Sequence, residues 1–260
     1  MAAVLAAQRG RLHWSALALG LAIANKQWAL IAVGPVLLAA PNRRWRTLAE
    51  AAAVAIALYA PFMLASRGLV AGTTQIAPTA TGQVFHPWQI FWFLGARGHW
   101  MPAMLPFIER GFRLPPAWLG GRPHILIVGL VAPLTWLALR RRTRPADALA
   151  LLALLALVRC WLDPWDLVYY PLPFIFALAA WETSVARRAP LCAVVATAAT
   201  WLIFWYLPAH IGVDAQAVSF LVPSTLALAV LVAVVYRIRP RLAPAGARPP
   251  RLTRAPAAPS

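Results

Sequence analysis

The feature that most constrains this chain is a succession of apolar stretches, rich in Leu, Ala and Val, at 48–65, 125–139, 148–162, 167–181, 191–207 and 218–236. Each runs about 15 to 19 residues, close to what an α-helix rising ~1.5 Å per residue needs to cross ~30 Å of hydrocarbon. A β-barrel would instead alternate polar and apolar residues over segments of about ten. Two shorter runs, 14–24 and 28–40, are split by Asn25, Lys26 and Gln27. Each falls short of the ~20 residues of a comfortable span. The expectation is an all-α, polytopic membrane protein with about seven or eight membrane helices within residues 1–236.

Composition agrees. Hydrophobic residues fill 62% of the 260 positions and charged residues 12%, about half the ~25% charged share of a soluble domain. The net charge of +17 would suggest nucleic acid in a soluble protein. Here the arginines cluster between apolar runs and in the C-terminal tail, so they read as topology signals and no nucleic-acid partner is expected. Bias toward Ala, Arg and Pro points to GC-rich, bacterial coding, and so to a bacterial cytoplasmic membrane. Cys160 and Cys192 lie in or beside spans, where they give no disulfide framework or metal-ligand spacing and should pack as small apolar residues. The first ten residues lack a cleavage-site context, so they are not a signal peptide. They read as the last two turns of a helix whose beginning is missing.

Basic clusters at Arg43, Arg44 and Arg46, at Arg140 to Arg142 with Arg144, at Arg187 and Arg188, and from Arg237 onward fall on alternate sides of successive spans. They mark the cytoplasmic side. Lys26, the segment 66–123, the turn 159–166 and the loop 209–216 then face outward. The five arginines in 66–123 do not overturn this, because long loops translocate largely regardless of charge. The tail 237–260 is rich in Pro and Arg, cannot form a core, and should stay disordered at the cytoplasmic surface.

Three constellations on the outer side carry candidate chemistry. Arg159, Asp163 and Asp166 sit with Tyr169 and Tyr170 between two spans. Ionisable groups at membrane depth are functional candidates, with Arg159 on a lipid phosphate and Asp163 or Asp166 on a sugar or a metal ion. They also suit a structural role, in which Asp163 N-caps a helix starting at Pro164, Asp166 lies in its first turn, and Arg159 pairs with Asp163. Lys26, the sole lysine, can neutralise a phosphate headgroup or snorkel to the interface, with Gln27 and Asn25 offering hydrogen bonds. The aromatic run 85–93 reads as an interfacial belt with Phe85, Trp88 and Trp92 toward lipid, or as the wall of an acceptor groove with His86 as polar contact. His99, Trp100 and His124 share that ambiguity. Glu109 is the only acid in 66–123 and a candidate outer-face base.

The stretch Gly20-Leu21-Ala22-Ile23-Ala24-Asn25-Lys26-Gln27-Trp28-Ala29-Leu30, with Pro35 and a basic turn after it, resembles the Gly-Leu-Ala-x-x-x-Lys-Gln/Pro segment of polyprenyl-phosphate-dependent glycosyltransferases of the GT-C superfamily, especially glycosyltransferase family 87. Leu162-Asp163-Pro164-Trp165-Asp166-Leu167-Val168-Tyr169-Tyr170 looks like a segment of actinobacterial membrane proteins of the same kind. The resemblance covers roughly residues 6–181. It implies a GT-C-like helix bundle that moves a sugar from a polyprenyl-phosphate donor to a glycan or glycolipid outside the membrane.

Inverting transfer requires a base for the acceptor hydroxyl. The superfamily carries it as an acid on the first outer loop, and no such loop precedes Lys26. The expectation is therefore a C-terminal portion, with the acid on a missing N-terminal half or a partner subunit. Within this picture Lys26 and Arg159 would bind the donor phosphate. Asp163, Asp166, Gln27, Tyr169 and Tyr170 would contact the sugar or a metal, and His86, Trp88 and Trp92 would line the acceptor groove. No cofactor is fixed, and a divalent metal stays open. Two other functions compete: a transporter or flippase subunit, which would place polar residues at mid-span, and a non-catalytic scaffold whose basic tail holds anionic lipid.

Overall fold

A computed structural model describes residues 1–65, 86–97, 113–114, 116, 118–119, 123–141, 143–164 and 166–237. The expectations placed on Phe85, His99, Trp100, Glu109 and the tail 238–260 lie outside the described residues.

The fold is all-helical. Nine α-helices are described: α1 Ala2–Gln8, α2 Leu12–Asn25, α3 Val33–Ala39, α4 Arg44–Ala65, α5 Pro123–Arg140, α6 Ala148–Leu162, α7 Leu172–Ser184, α8 Leu191–Trp201 and α9 Val213–Tyr236. A 3-10 turn, Gln27–Ala32, joins α2 to α3, and a π-turn, Leu202–Tyr206, extends α8. The only strand pairing among the described residues is two residues long, Ala96 and Arg97 (β1) against Leu114 and Arg113 (β2).

Four helical stretches, Arg44–Ala65, Pro145–Leu162, Leu191–Ala209 and Val213–Tyr236, are long and apolar enough to cross a membrane. Four shorter apolar stretches accompany them: Leu12–Asn25, Gln27–Ala39, His124–Arg140 and Leu172–Ser184.

The centre of the bundle is α6. Its first ten residues, Ala148 to Leu157, are Leu and Ala on every face, and a helix apolar all round belongs inside a protein. Every residue of α6 except Trp161 is buried, and the helix packs against α1, α3, α5, α7 and α9. The outer helices show the opposite pattern. Ile56, Phe62 and Leu64 of α4 and Val194, Val195 and Trp201 of α8 are exposed, as lipid-facing side chains would be.

Where helices pack closest, small residues let the backbones meet. Against α4, a Cβ added at Gly20 would lie 2.6 Å from the Ala51 carbonyl oxygen and 2.6 Å from Val54 Cβ. Against α5, one at Gly34 would clash with the Thr135 side chain. Overpacking of this kind costs about 1–3 kcal/mol, so Gly20→Ala is expected to lower the thermal unfolding midpoint in detergent. An unchanged midpoint would show that α2 and α4 are not this close.

Successive helices alternate, which gathers the loops at two ends. At the basic end the Gln8 amide donates to the Pro145 and Ala146 carbonyls at 3.0 and 3.1 Å, and Arg237 pairs with Asp147 at 3.1 Å. The Glu182 carboxylate there accepts from the Cys192 and Ala193 amides at 3.2 and 2.9 Å, satisfying the open N–H groups at the start of α8, and pairs with Arg188 at 3.0 Å. Cys160 is buried as expected, whereas Cys192 is exposed.

The stretch 167–181 is not one helix. Residues 168–171 form turns, Tyr170 N–H donating to the Leu167 carbonyl at 2.8 Å, and α7 begins only at Leu172 with Pro171 as its N-cap. Asp163 therefore N-caps no helix; it is instead the C-terminal cap of α6, its amide donating to the Arg159 carbonyl at 2.8 Å. The preference of the residue before proline for extended backbone, at Tyr170, opposes an earlier start, and the ring of Pro173 fits the first turn, where its missing N–H costs nothing.

Candidate functional site

The turn 163–171 and the end of α2 meet at the other end of the bundle, and their side chains interleave cations with aromatic rings. Lys26 ends α2 in extended backbone because Gln27 starts a tighter 3-10 turn. Its ammonium sits 5.6 and 5.5 Å from the ring centres of Tyr169 and Tyr170. Those two rings meet edge to face at 5.0 Å.

The guanidinium of Arg159 lies 4.2 Å from the Tyr170 ring centre, and it is also 4.7 Å from the ring centre of Trp28. Trp28 in turn stands edge-on to His124 at 5.0 Å. Each cation over a ring contributes roughly 0.5–2 kcal/mol, more when water is excluded.

The two cations differ in availability. Arg159 is buried and pairs with Asp163 at 3.3 Å, one helical turn on. Lys26 is exposed and has no acidic partner among the described residues. The pairing of Arg159 with Asp163, one element of the structural reading, is present. Asp166 is fully buried with neither carboxylate oxygen hydrogen-bonded. The Leu167 amide lies near it without reaching hydrogen-bonding geometry. Burial, reinforced by the Asp163 charge, holds the Asp166 carboxyl well above the usual carboxylate range against the opposing pull of Arg159. Burial and Asp163 likewise push the Tyr170 phenol up to about 12.

Lys26 stands at the mouth of a lateral cleft of about 1710 Å³ between α2, the 3-10 turn, α4 and α5. Asn25, Gln27 and His124 share that mouth, and below it the walls are apolar, with Ile31, Phe62, Val128 and Val131 among them. The lining runs along α5 from His124 to Leu139, about 22 Å at ~1.5 Å per residue. Small-molecule clefts enclose about 300–1,000 Å³, so this one suits a long chain. Phe62 and Val128 are exposed, so it opens sideways, toward where lipid would be.

The aromatic run does not form the flat belt expected of it. Residues 87–91 are bends and turns, followed by a 3-10 turn, Trp92–Leu94. Two backbone hydrogen bonds strap the run onto the end of α6: His86 N–H to the Pro164 carbonyl at 3.1 Å and Ile90 N–H to the Trp161 carbonyl at 3.0 Å. Burial lowers the His86 imidazole to about 4, leaving it neutral near pH 7.

Trp92, expected toward lipid, is fully buried. Its indole N–H donates to Asp214 at 2.8 Å, and Arg113 both pairs with Asp214 at 2.8 Å and lies 5.2 Å from the Trp92 ring centre. A buried indole needs such an acceptor, and Asp214, in the first turn of α9, supplies it. Trp92 is therefore an anchor rather than the wall of an open groove. Trp88 is half-buried and packs on Phe204 at 4.5 Å.

Lys26, Arg159, Asp163, Tyr169 and Tyr170 thus form one cluster, with Asp166 beside them and Gln27 on the cleft, while His86, Trp88 and Trp92 belong to the strap. Trp28, Gln89, Arg113 and Asp214 were not singled out from the sequence. Among the described residues, no group of three or more His, Cys, Asp or Glu side chains is placed to hold a metal ion. No protein-family model, no curated protein and no solved structure matches the chain.

Proposed function

We propose that the protein is a multi-pass, GT-C-like membrane glycosyltransferase component that binds a polyprenyl-phosphate sugar. The chain lies in the lateral cleft, the phosphate meets Lys26, and the sugar is passed to a glycan or glycolipid outside the bacterial cytoplasmic membrane. The seven or eight crossings then include the shorter apolar helices, and the basic end with the C-terminus faces the cytoplasm.

One observation carries this reading: an apolar cleft about 22 Å long with a solitary exposed ammonium and amide side chains at its mouth. An amphiphile with a long tail and an anionic head matches both parts. The cleft covers most of the ~30 Å hydrocarbon thickness, more than the single leaflet a phospholipid tail occupies, which favours an isoprenoid of many units. Arg159 is already committed to Asp163, Trp28 and Tyr170, so the phosphate falls to Lys26.

The test is capture of a photoreactive polyprenyl phosphate by the protein in nanodiscs. Lys26→Ala should reduce capture about tenfold, the loss of ~1.4 kcal/mol, and Val128→Trp should block it by filling the cleft. Equal capture by wild type and both variants would refute the assignment.

A further inference from the structure

The turn between α3 and α4 sets three arginines against the wrong end of a helix. Arg43 precedes α4, and Arg44 and Arg46 stand in its first turn, where there is no acid. A helix start carries the positive pole of the dipole and open amide N–H groups, so it favours anions and disfavours arginines. Cations crowded at that pole repel one another unless a negative group sits among them. Arg46 has such a group, donating to the Glu50 carboxylate at 2.8 Å, and Glu50 also meets His13 at 2.9 Å. Glu50 is the only acid in the first 65 residues. Arg43 and Arg44 have no acidic partner among the described residues.

These two arginines border a recess. Pro41, Asn42, Arg43, Arg44, Trp45 and Arg46 line a cleft of about 490 Å³, within the ~300–1,000 Å³ of small-molecule clefts. Arg44 is half-buried, and its Nε donates at 3.0 Å to the carbonyl of Leu37, one of the open carbonyls at the end of α3. That bond fixes the guanidinium and leaves its two terminal nitrogens for a ligand. Arg43 is exposed beside it. Trp45, 79% exposed, stands at the rim, and Ala49, Ala52 and Ile56 continue its exposed face of α4 at helical spacing. An indole so placed suits a membrane interface, and the two alanines leave space beside it for an acyl chain.

We propose that the turn between α3 and α4 binds an anionic membrane phospholipid of the phosphatidylglycerol class, with its phosphodiester between Arg43 and Arg44 and one acyl chain along Trp45, Ala49, Ala52 and Ile56. A zwitterionic lipid brings an ammonium that the same arginines and helix pole repel. Free phosphate has no chain to lay on the exposed face. The contact of Glu50 with His13, at the start of α2, places this turn at the basic end, whereas Lys26 ends α2 at the other. The site is therefore separate from the lateral cleft and does not depend on what that cleft holds.

The experiment titrates phosphatidylglycerol and phosphatidylcholine of equal chain length into the full chain in detergent and counts bound lipid by native mass spectrometry. Wild type should hold one phosphatidylglycerol with about tenfold preference over phosphatidylcholine. Arg43→Gln/Arg44→Gln should erase the preference, and Arg43→Gln alone, an exposed side chain with no hydrogen bond to lose, should lower it about threefold. Ala52→Trp, which fills the acyl path and keeps both arginines, should weaken phosphatidylglycerol binding. Arg9→Gln/Arg11→Gln removes the same charge from exposed positions at the same end, outside the cleft, and should keep the preference. An equal loss in that control would reduce the effect to diffuse attraction and overturn the site, as would a wild type without preference or an Arg43→Gln/Arg44→Gln variant that keeps it. Displacement of the lipid by millimolar inorganic phosphate, or full binding by Ala52→Trp, would overturn the lipid as the ligand.

Discussion

Arg159→Met is expected to cost about 3–5 kcal/mol, the penalty for stripping a buried charge of its partner, and to abolish a cooperative thermal transition in detergent. The guanidinium is 5% exposed, lies over the Trp28 and Tyr170 rings, and pairs with Asp163, itself 2% exposed. Removing it leaves the Asp163 carboxylate buried without that cation and withdraws the plate on which two rings pack.

The double variant Arg159→Met/Asp163→Leu separates charge from shape. A buried ion pair replaced whole by apolar side chains is often neutral in stability, so the double variant should recover most of the loss. If the single variant melts like wild type, or the double is no better than the single, the pair does not hold the turn 163–171 in place.

Asp166→Asn is expected to do the reverse and stabilise the protein at pH 8 by on the order of 1–3 kcal/mol, since it removes a carboxyl that is buried without a partner. The folded state holds this carboxyl protonated well above its ordinary range, so the folded state binds the proton more tightly than the unfolded chain does. The stability linked to that proton is complete below the ordinary carboxylate value of about 4 and is lost as pH rises from there through the raised folded value. Wild type should therefore lose thermal stability relative to Asp166→Asn as pH climbs from about 4 to 8, measured as the difference in unfolding midpoint. A constant difference across that range would mean that Asp166 titrates normally.

How much of this was legible beforehand follows from the range of each interaction. Arg159 and Asp163 are four apart on one helix face, so their pairing could be read from spacing alone. The burial of α6 follows from the Leu and Ala run that fills it from Ala148 to Leu157. The stack of Lys26 on Tyr169 and Tyr170 joins segments far apart in the chain; the sequence showed both as polar islands of the same parity, without showing that they touch.

The burial of Trp92 escapes a reading of the sequence for a related reason. Aromatic residues flanking apolar spans usually sit at the lipid interface, but its acceptor, Asp214, is 122 positions away, and no local period encodes it. The start of α7 was set too early because hydropathy continues through Leu167, Val168 and the two tyrosines, while the prolines at 171 and 173, which decide where the helix begins, barely register on that scale. Gln89 could not have been found at all. What sets it apart is a buried NH₂ whose hydrogen bond is not made, and a sequence does not record those.

The sideways opening of the cleft between α4 and α5 has a consequence for how any occupant is measured. A molecule entering there is met by diffusion in two dimensions, within the sheet of lipids, and is never free in water when captured. Occupancy then follows how many ligand molecules there are per lipid rather than per litre. A competitor gains access according to how well it partitions, each buried methylene being worth about 0.8 kcal/mol. Diluting the bilayer with inert lipid at fixed bulk concentration should weaken both, while diluting the buffer should leave them nearly untouched.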